Sequence, residues 1–432
     1  MMPPKPTLTV LLGAGSTLDL GLVIPQTGAP CGYGMPSTDD LTQAVLKLKW
    51  PQVVSAGIPF FISQANLTER IPPSQHAQLM PALRLIERAL RSEFRCVDFE
   101  LVIHALEQLE PLFAARIHTD AVDQFRPVLS AFVELGEKTR PFADGSLINE
   151  TRRAVVLCIF DRIMAAKSEC GSQNPEQKLT ELFARLRKEF MLRVFTLNYD
   201  DIVDEAMPSA FDGFESPGND SQQKDARAFS AREFAKRYSH EPETLAHLHG
   251  SVRFGRRLSE LLKYERAENA RAAIEGTISS DHQENGAIIS TDPIISGLNK
   301  SAKLIQNPAP FGYYFRAFID SVMRSPRLLA IGYGGRDDHI NAWLRQMPEI
   351  HGDSRRLVWI GKFSGQTCGE RTPEKTLLID VGAASWTNEY KRFEGAEDAD
   401  FQCESANLRL VANGFPFKSD GTIDRAIRFL KS

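Results

Sequence analysis

Residues Thr7–Thr17 read TLTVLLGAGST. Six apolar or β-branched residues run straight into Gly13-Ala14-Gly15, which predicts a buried strand broken by a tight turn. Similar short runs recur later in the chain. Met191–Leu197 (MLRVFTL) ends at Asn198-Tyr199-Asp200, and Thr244–Leu248 leads to His249-Gly250-Ser251. Arg327–Ile331 (RLLAI) ends at Gly332-Tyr333-Gly334-Gly335, ahead of the helix-like DDHINAWL, and Arg356–Ile360 (RLVWI) ends at Gly361. Apolar runs that stop at glycine or polar turns predict an α/β fold, with a parallel sheet and its functional loops at the strand C-terminal ends.

The stretch between the first two runs has a helical period. Ser37-x-x-Asp40 before LTQAVLKL has the spacing of a helix start. Phe99, Val102, Ile103 and Leu106 fall on one face, with Leu109 following, and Arg152–Ala166 and Lys178–Phe190 also read as helices. A long helical insertion therefore separates the first strand from the others. Residues 208–230 and 268–290, rich in Gly, Ser, Asp and Asn, read as flexible loops.

Composition narrows the class. The chain has 432 residues, 42% hydrophobic and 25% charged, the balance of a soluble globular protein with two or three domain-sized units. A formal net charge of −4 leaves no global basic field for nucleic acid or anionic membrane. No apolar run reaches the length of a membrane span, and the first residues lack the pattern of a signal peptide, so a cytoplasmic location is expected. The cysteines, Cys31, Cys96, Cys158, Cys170, Cys368 and Cys403, contain no C-x-x-C pair; they read as reduced small hydrophobes, and no metal is expected.

Taken singly, the motifs leave alternatives open. Gly13–Thr17 fits a phosphate-binding turn or a structural one, and Leu18 stands where a dinucleotide fingerprint requires glycine. Gly297–Ser301 ends like a P-loop, but Asn299 precedes the lysine and the glycine spacing is wrong, which excludes an ATPase on that motif. H-E-x-x-H and G-x-S-x-G are both absent. Asn198 and Asp200 suit a plain turn as well as a polar site. His249 is a structural or a functional histidine; on a regular strand it would share a side with His247. Arg253, Arg256 and Arg257, like Arg185, Arg187 and Lys188, read as solvated faces.

Taken in order, these segments resemble one family. GAGST with Asp19 and Gly21, TLNYDD (196–201), HLHG (247–250) and GYGGRDDHIN (332–341) are similar to the sirtuin-like NAD-consuming superfamily, above all to its bacterial branch of NAD hydrolases in phage defence. VDFE (97–100) and PIISGLNK (293–300), followed by FGYYF, agree with that branch, and the resemblance spans about residues 8 to 362. It implies a Rossmann-like NAD-binding core over 1–38 and 190–400, a helical insertion over 39–189 and a C-terminal extension over 401–432. It also implies that Gly13, Ala14, Gly15, Ser16 and Thr17, with Asp19, hold the NAD phosphates. Asn198 and Asp200 would face the nicotinamide ribose, His249 would be the catalytic histidine, and Gly332, Tyr333 and Asp337 would line the adenosine half. Thr17 stands where the family commonly has serine. The paired C-x-x-C zinc module of the protein deacylases is missing, which weakens a deacylase reading.

The expected activity is hydrolysis of NAD to nicotinamide and ADP-ribose, by an NAD-depleting effector of bacterial antiviral defence. The partners expected by analogy are a second copy of the chain and an activator, with a hexameric DNA-translocating ATPase favoured over a short Argonaute. A deacylase or ADP-ribosyltransferase is one rival, and a non-catalytic NAD or ADP-ribose sensor is the other.

Overall fold

The computed structural model describes residues 5–17, 38–47, 83–84, 86–94, 97–114, 146–169, 176–215, 225–257, 260–276, 293–296, 300–306, 308–361, 377–378, 380–381, 390–392, 400–403, 407–412, 414–415 and 420–432. Its strands are β1 (Thr7–Leu12), β2 (Met191–Thr196), β3 (Phe214–Glu215), β4 (Ala226–Phe229), β5 (Glu243–His247), β6 (Phe254–Arg257), β7 (Glu260–Tyr264), β8 (Arg327–Ile331), β9 (Arg356–Ile360), β10 (Tyr390–Arg392), β11 (Asp400–Cys403) and β12 (Leu408–Val411). Eight of them form one sheet in the order β10-β11-β12-β9-β8-β1-β2-β5. From β12 to β5 all neighbours are parallel, and β10 and β11 add an antiparallel edge. This is a Rossmann-like α/β fold.

The apolar runs are continuous because both faces of the sheet are covered. Leu8, Val10 and Leu12 enter one core, while Leu11 enters the other. The first core is closed by the helices Thr38–Lys47, Phe99–Ala114, Ser146–Glu169, Gln177–Glu189 and Asp420–Lys431, and the second by Tyr313–Arg324 and Asp338–Leu344. Phe99, Val102, Ile103 and Leu106 are all buried, as their spacing predicts, whereas the side chain of Leu109 lies outside the described residues.

Two segments differ from expectation. Within 208–230, β3 and β4 belong to a small antiparallel sheet ordered β3-β4-β7-β6. Within 268–290, the helix Ala267–Gly276 packs on β6, placing Ala270 and Ile274 in the core. Polar composition hid both, because these elements are held by tertiary pairing and not by their own pattern. The C-terminal extension adds to the main sheet, where β12 pairs in parallel with β9 and is buried throughout. Among the described residues no helix is long and apolar enough to cross a membrane.

Candidate active site

The C-terminal ends of β1, β2, β5 and β8 converge, because a parallel sheet points all its strand exits to one edge. β1 leaves through the 3-10 turn Ala14–Ser16, which is bolted to the exit of β8. Gly13 N–H donates to Ile331 O (2.9 Å) and Gly15 N–H to Gly332 O (3.1 Å). Gly332 has φ +64, and a Cβ there would lie 2.2 Å from Gly15 C and Ser16 N, so only glycine fits.

The turn's side chains then meet β2. Ser16 Oγ donates to Gly13 O (2.8 Å), and Asn198 Nδ2 donates to Ser16 Oγ (3.0 Å) and Thr17 Oγ1 (3.3 Å). Thr17 Oγ1 donates to Asp200 Oδ2 (2.9 Å), while Asp200 Oδ1 accepts from the Ile202 N–H (3.2 Å). Burial pushes the Asp200 carboxyl up to about 6, against the opposing pull of the Thr17 hydroxyl.

β5 ends at His247, and the backbone turns at Gly250 (φ +94) immediately after His249. The His249 carbonyl accepts from Ile295 N–H (2.7 Å). Its Nε2 lies 3.2 Å from His339 Nε2 and 3.7 Å from Asp337 Oδ1. Lys300 Nζ reaches Asp337 Oδ1 (2.8 Å) and Glu100 Oε1 (2.9 Å), and Tyr199 Oη donates to Glu100 Oε1 (3.4 Å). Burial, then the Lys300 ammonium, hold the His249 imidazole well below its usual range, so it is neutral near pH 7. The Asp337 carboxyl lies at about 2: burial opposes ionisation, and His249 and Lys300 outweigh it.

These groups open onto one cavity of about 500 Å³, within the range of small-molecule sites. Gly13, Ala14, Thr17, Asn198, Asp200, His249, Gly332, Tyr333 and Asp337 line it, with Glu100 and Lys300. The insertion supplies Leu41, Asp98, Phe99 and Ile163 to the wall. Residues 192–378 match a SIR2-like domain. The matched stretch contains Asn198, Asp200, His249 and Gly332–Asp337, while the Gly13–Thr17 turn lies outside it and joins it through the sheet. The match supports the sirtuin-like superfamily, whose activity is NAD-related in general. No curated protein matches the chain.

Around this cavity the expected residues take unequal positions. Of the turn, Gly13, Ala14 and Thr17 line the cavity, and the N–H groups of Gly13, Gly15, Ser16 and Thr17 are bonded inside the protein. Tyr333 is buried, with its hydroxyl donating to Asn341 Oδ1 (2.6 Å). Asp337 sits against His249, and Asp19 lies outside the described residues. His247 parts from His249: its Nε2 lies 2.9 Å from Asp204 Oδ2, deep in the interior beside Lys263. Arg253 is no solvated face, since its Nε bonds Asp201 Oδ2 (2.9 Å).

Glu100, Lys300 and His339 stand in VDFE, PIISGLNK and GYGGRDDHIN, but no local spacing marks any of them as part of a site. His249, Asp337 and His339 bring donor atoms within 4.8 Å of one another, a set able to hold a divalent cation. The Lys300 ammonium already occupies the Asp337 carboxylate and would repel such an ion.

Proposed function

We propose that this chain is an NAD⁺ glycohydrolase, cleaving the bond between nicotinamide and ribose. What carries the reading is that a neutral, buried His249 and the Asn198–Thr17–Asp200 network face one cavity with Gly13 and Ala14 of the first turn. Nicotinamide is a cationic group in NAD⁺, and it leaves with the electron pair of the C–N bond without needing a proton. The site must instead fix the ribose, steady positive charge at its anomeric carbon, and place a nucleophile.

Asn198 is held by Ser16 and Thr17 and presents an amide that does not titrate. Asp200, once ionised, opposes the developing positive charge. His249 accepts a proton from water as the water oxygen bonds to the anomeric carbon. The products are nicotinamide, ADP-ribose and one proton.

The resemblance of the ordered motifs supports a role as an NAD-depleting effector in bacterial antiviral defence, acting in the cytoplasm. Activation by self-assembly or by a hexameric DNA-translocating ATPase is part of the same proposal. The test is chromatography of NAD⁺ incubated with the purified protein, with His249→Ala and Asn198→Ala in parallel and NAD⁺ binding followed by calorimetry. Nicotinamide plus ADP-ribose from the wild type, reduced at least about 100-fold in both variants, is the expected result. Binding without turnover, with and without the activator, would replace the hydrolase by a sensor. Acyl-lysine turnover or ADP-ribose attached to protein would replace it by a transferase-type enzyme.

A further inference from the structure

Hydrolysis of NAD⁺ releases a proton, and a buried base must dispose of it. His249 is 3% exposed, with the Lys300 ammonium among its charged neighbours, so the site does not favour its imidazolium. Asp337 Oδ1, at 3.7 Å, is bound by Lys300 and stays ionised near neutral pH, which makes it a poor resting place for a proton. A nearer acceptor is His339 Nε2, 3.2 Å from His249 Nε2. His339 opens the helix Asp338–Leu344, is half-buried, and lies with its ring against Phe315 of the helix Tyr313–Arg324. Burial, helped by Lys300, pulls the His339 imidazole down to about 4 although Asp337 and Asp338 favour its charged form, so near neutral pH the ring is neutral and has a nitrogen free to accept.

We infer that His339 is the proton outlet of His249, a positioning residue that acts through the base and not on the substrate. The inference rests on the NAD hydrolase reading. At rest, the hydrogen on the line between the two Nε2 atoms belongs to His249, where the Asp337 carboxylate favours it. When His249 gains the proton of the attacking water at Nδ1, this shared hydrogen moves to His339 Nε2. His339 then gives its Nδ1 proton to solvent, and exchange with solvent restores the starting tautomers. One proton enters from water and one leaves, so neither ring holds a net charge after turnover.

The test is NAD⁺ hydrolysis by His339→Ala and His339→Gln beside the wild type, with and without added imidazole. The expected result is a kcat lowered at least tenfold in both variants at unchanged KM and unchanged calorimetric NAD⁺ affinity. Added imidazole should restore part of the rate in the alanine variant, because a free base fits where the ring is missing. Full kcat in His339→Ala would overturn the inference. So would wild-type kcat in His339→Gln, since glutamine can hold a hydrogen bond but cannot relay a proton. A loss shared equally with NAD⁺ affinity and insensitive to imidazole would also overturn it, showing a structural role. A wild type that binds NAD⁺ without cleaving it removes the hydrolase reading and the outlet together. A wild type that cleaves NAD⁺ beside an unimpaired His339→Ala removes the outlet alone.

Discussion

Thr17 and Asp200 share a side-chain hydrogen bond of 2.9 Å across 183 residues of sequence. It fastens the exit of β1 to the exit of β2 and gives a buried carboxylate a side-chain donor beside the Ile202 N–H. Thr17→Val removes that donor while keeping the side-chain shape. The expected cost is about 1–3 kcal/mol, read by urea unfolding, whereas Thr17→Ser keeps the hydroxyl and most of the stability. Equal losses in the two variants would show that the hydroxyl is not what matters.

Asp200 makes stability depend on pH in a stated direction. Its folded pKa of about 6 lies above the unfolded value of about 3.9, so between these values the folded state binds more protons. The stabilisation is therefore complete below about pH 4 and is lost as pH rises through 6. Asp200→Asn does not titrate. Its stability relative to wild type should rise by on the order of 2–3 kcal/mol from pH 4 to pH 7, measured as urea midpoints across that range. A difference that is flat with pH would contradict the assigned burial.

Gly332→Ala should break the junction of β1 and β8. The residue has φ +64, and an added Cβ would sit 2.2 Å from backbone atoms that cannot step aside. A loss of about 2–5 kcal/mol is expected from the left-handed backbone and the overlap together. Thermal unfolding reads that loss, and calorimetry should show weakened NAD⁺ binding in any protein that still folds.

Lys263 is the buried cation of a cluster outside the active site. Its Nζ lies 2.5 Å from Asp204 and 2.6 Å from Asp212, and all three side chains are buried. Burial works against charge at Lys263 and Asp204, yet partners keep the ammonium raised and the Asp204 carboxyl well below its usual range. Lys263→Met leaves two buried carboxylates without that partner and should cost about 3–5 kcal/mol. Adding Asp204→Asn should recover part of the loss, and a double-mutant cycle measures how much.

Lys300→Met should shift the pH profile of NAD⁺ cleavage. Lys300 lowers the His249 pKa and Asp337 raises it, so removing the ammonium lets the imidazole hold a proton at higher pH. The acid limb of kcat against pH should move upward. An unmoved limb would separate Lys300 from the base.

The parallel core was legible because its strands are short apolar runs that stop at glycine, asparagine or histidine turns. Asn198, Asp200 and His249 could be singled out as residues at those stops. The charged half of the site was not legible in the same way. Lys300 lies within a stretch that fails as a P-loop, and its partners Glu100 and Asp337 come from the helical insertion and from the exit of β8. No local period or spacing links three such segments. β3 and β4 were hidden for a related reason, since their pairing with β7 is settled by neighbours and not by their own polar sequence.

β1 lies between β2 and β8, the first of which begins at Met191 and the second at Arg327. A ribosome adding about 5–20 residues per second needs roughly 15–60 s to travel from the first strand to the second of these neighbours. During that interval the nascent chain lacks Gly332, and with it the contact that seats the Gly13–Thr17 turn. A chain translated only as far as β7 therefore lacks the junction of β1 and β8 on which the cavity is built. The central strand acts as a timer, withholding the finished cavity until the exit of β8 has emerged.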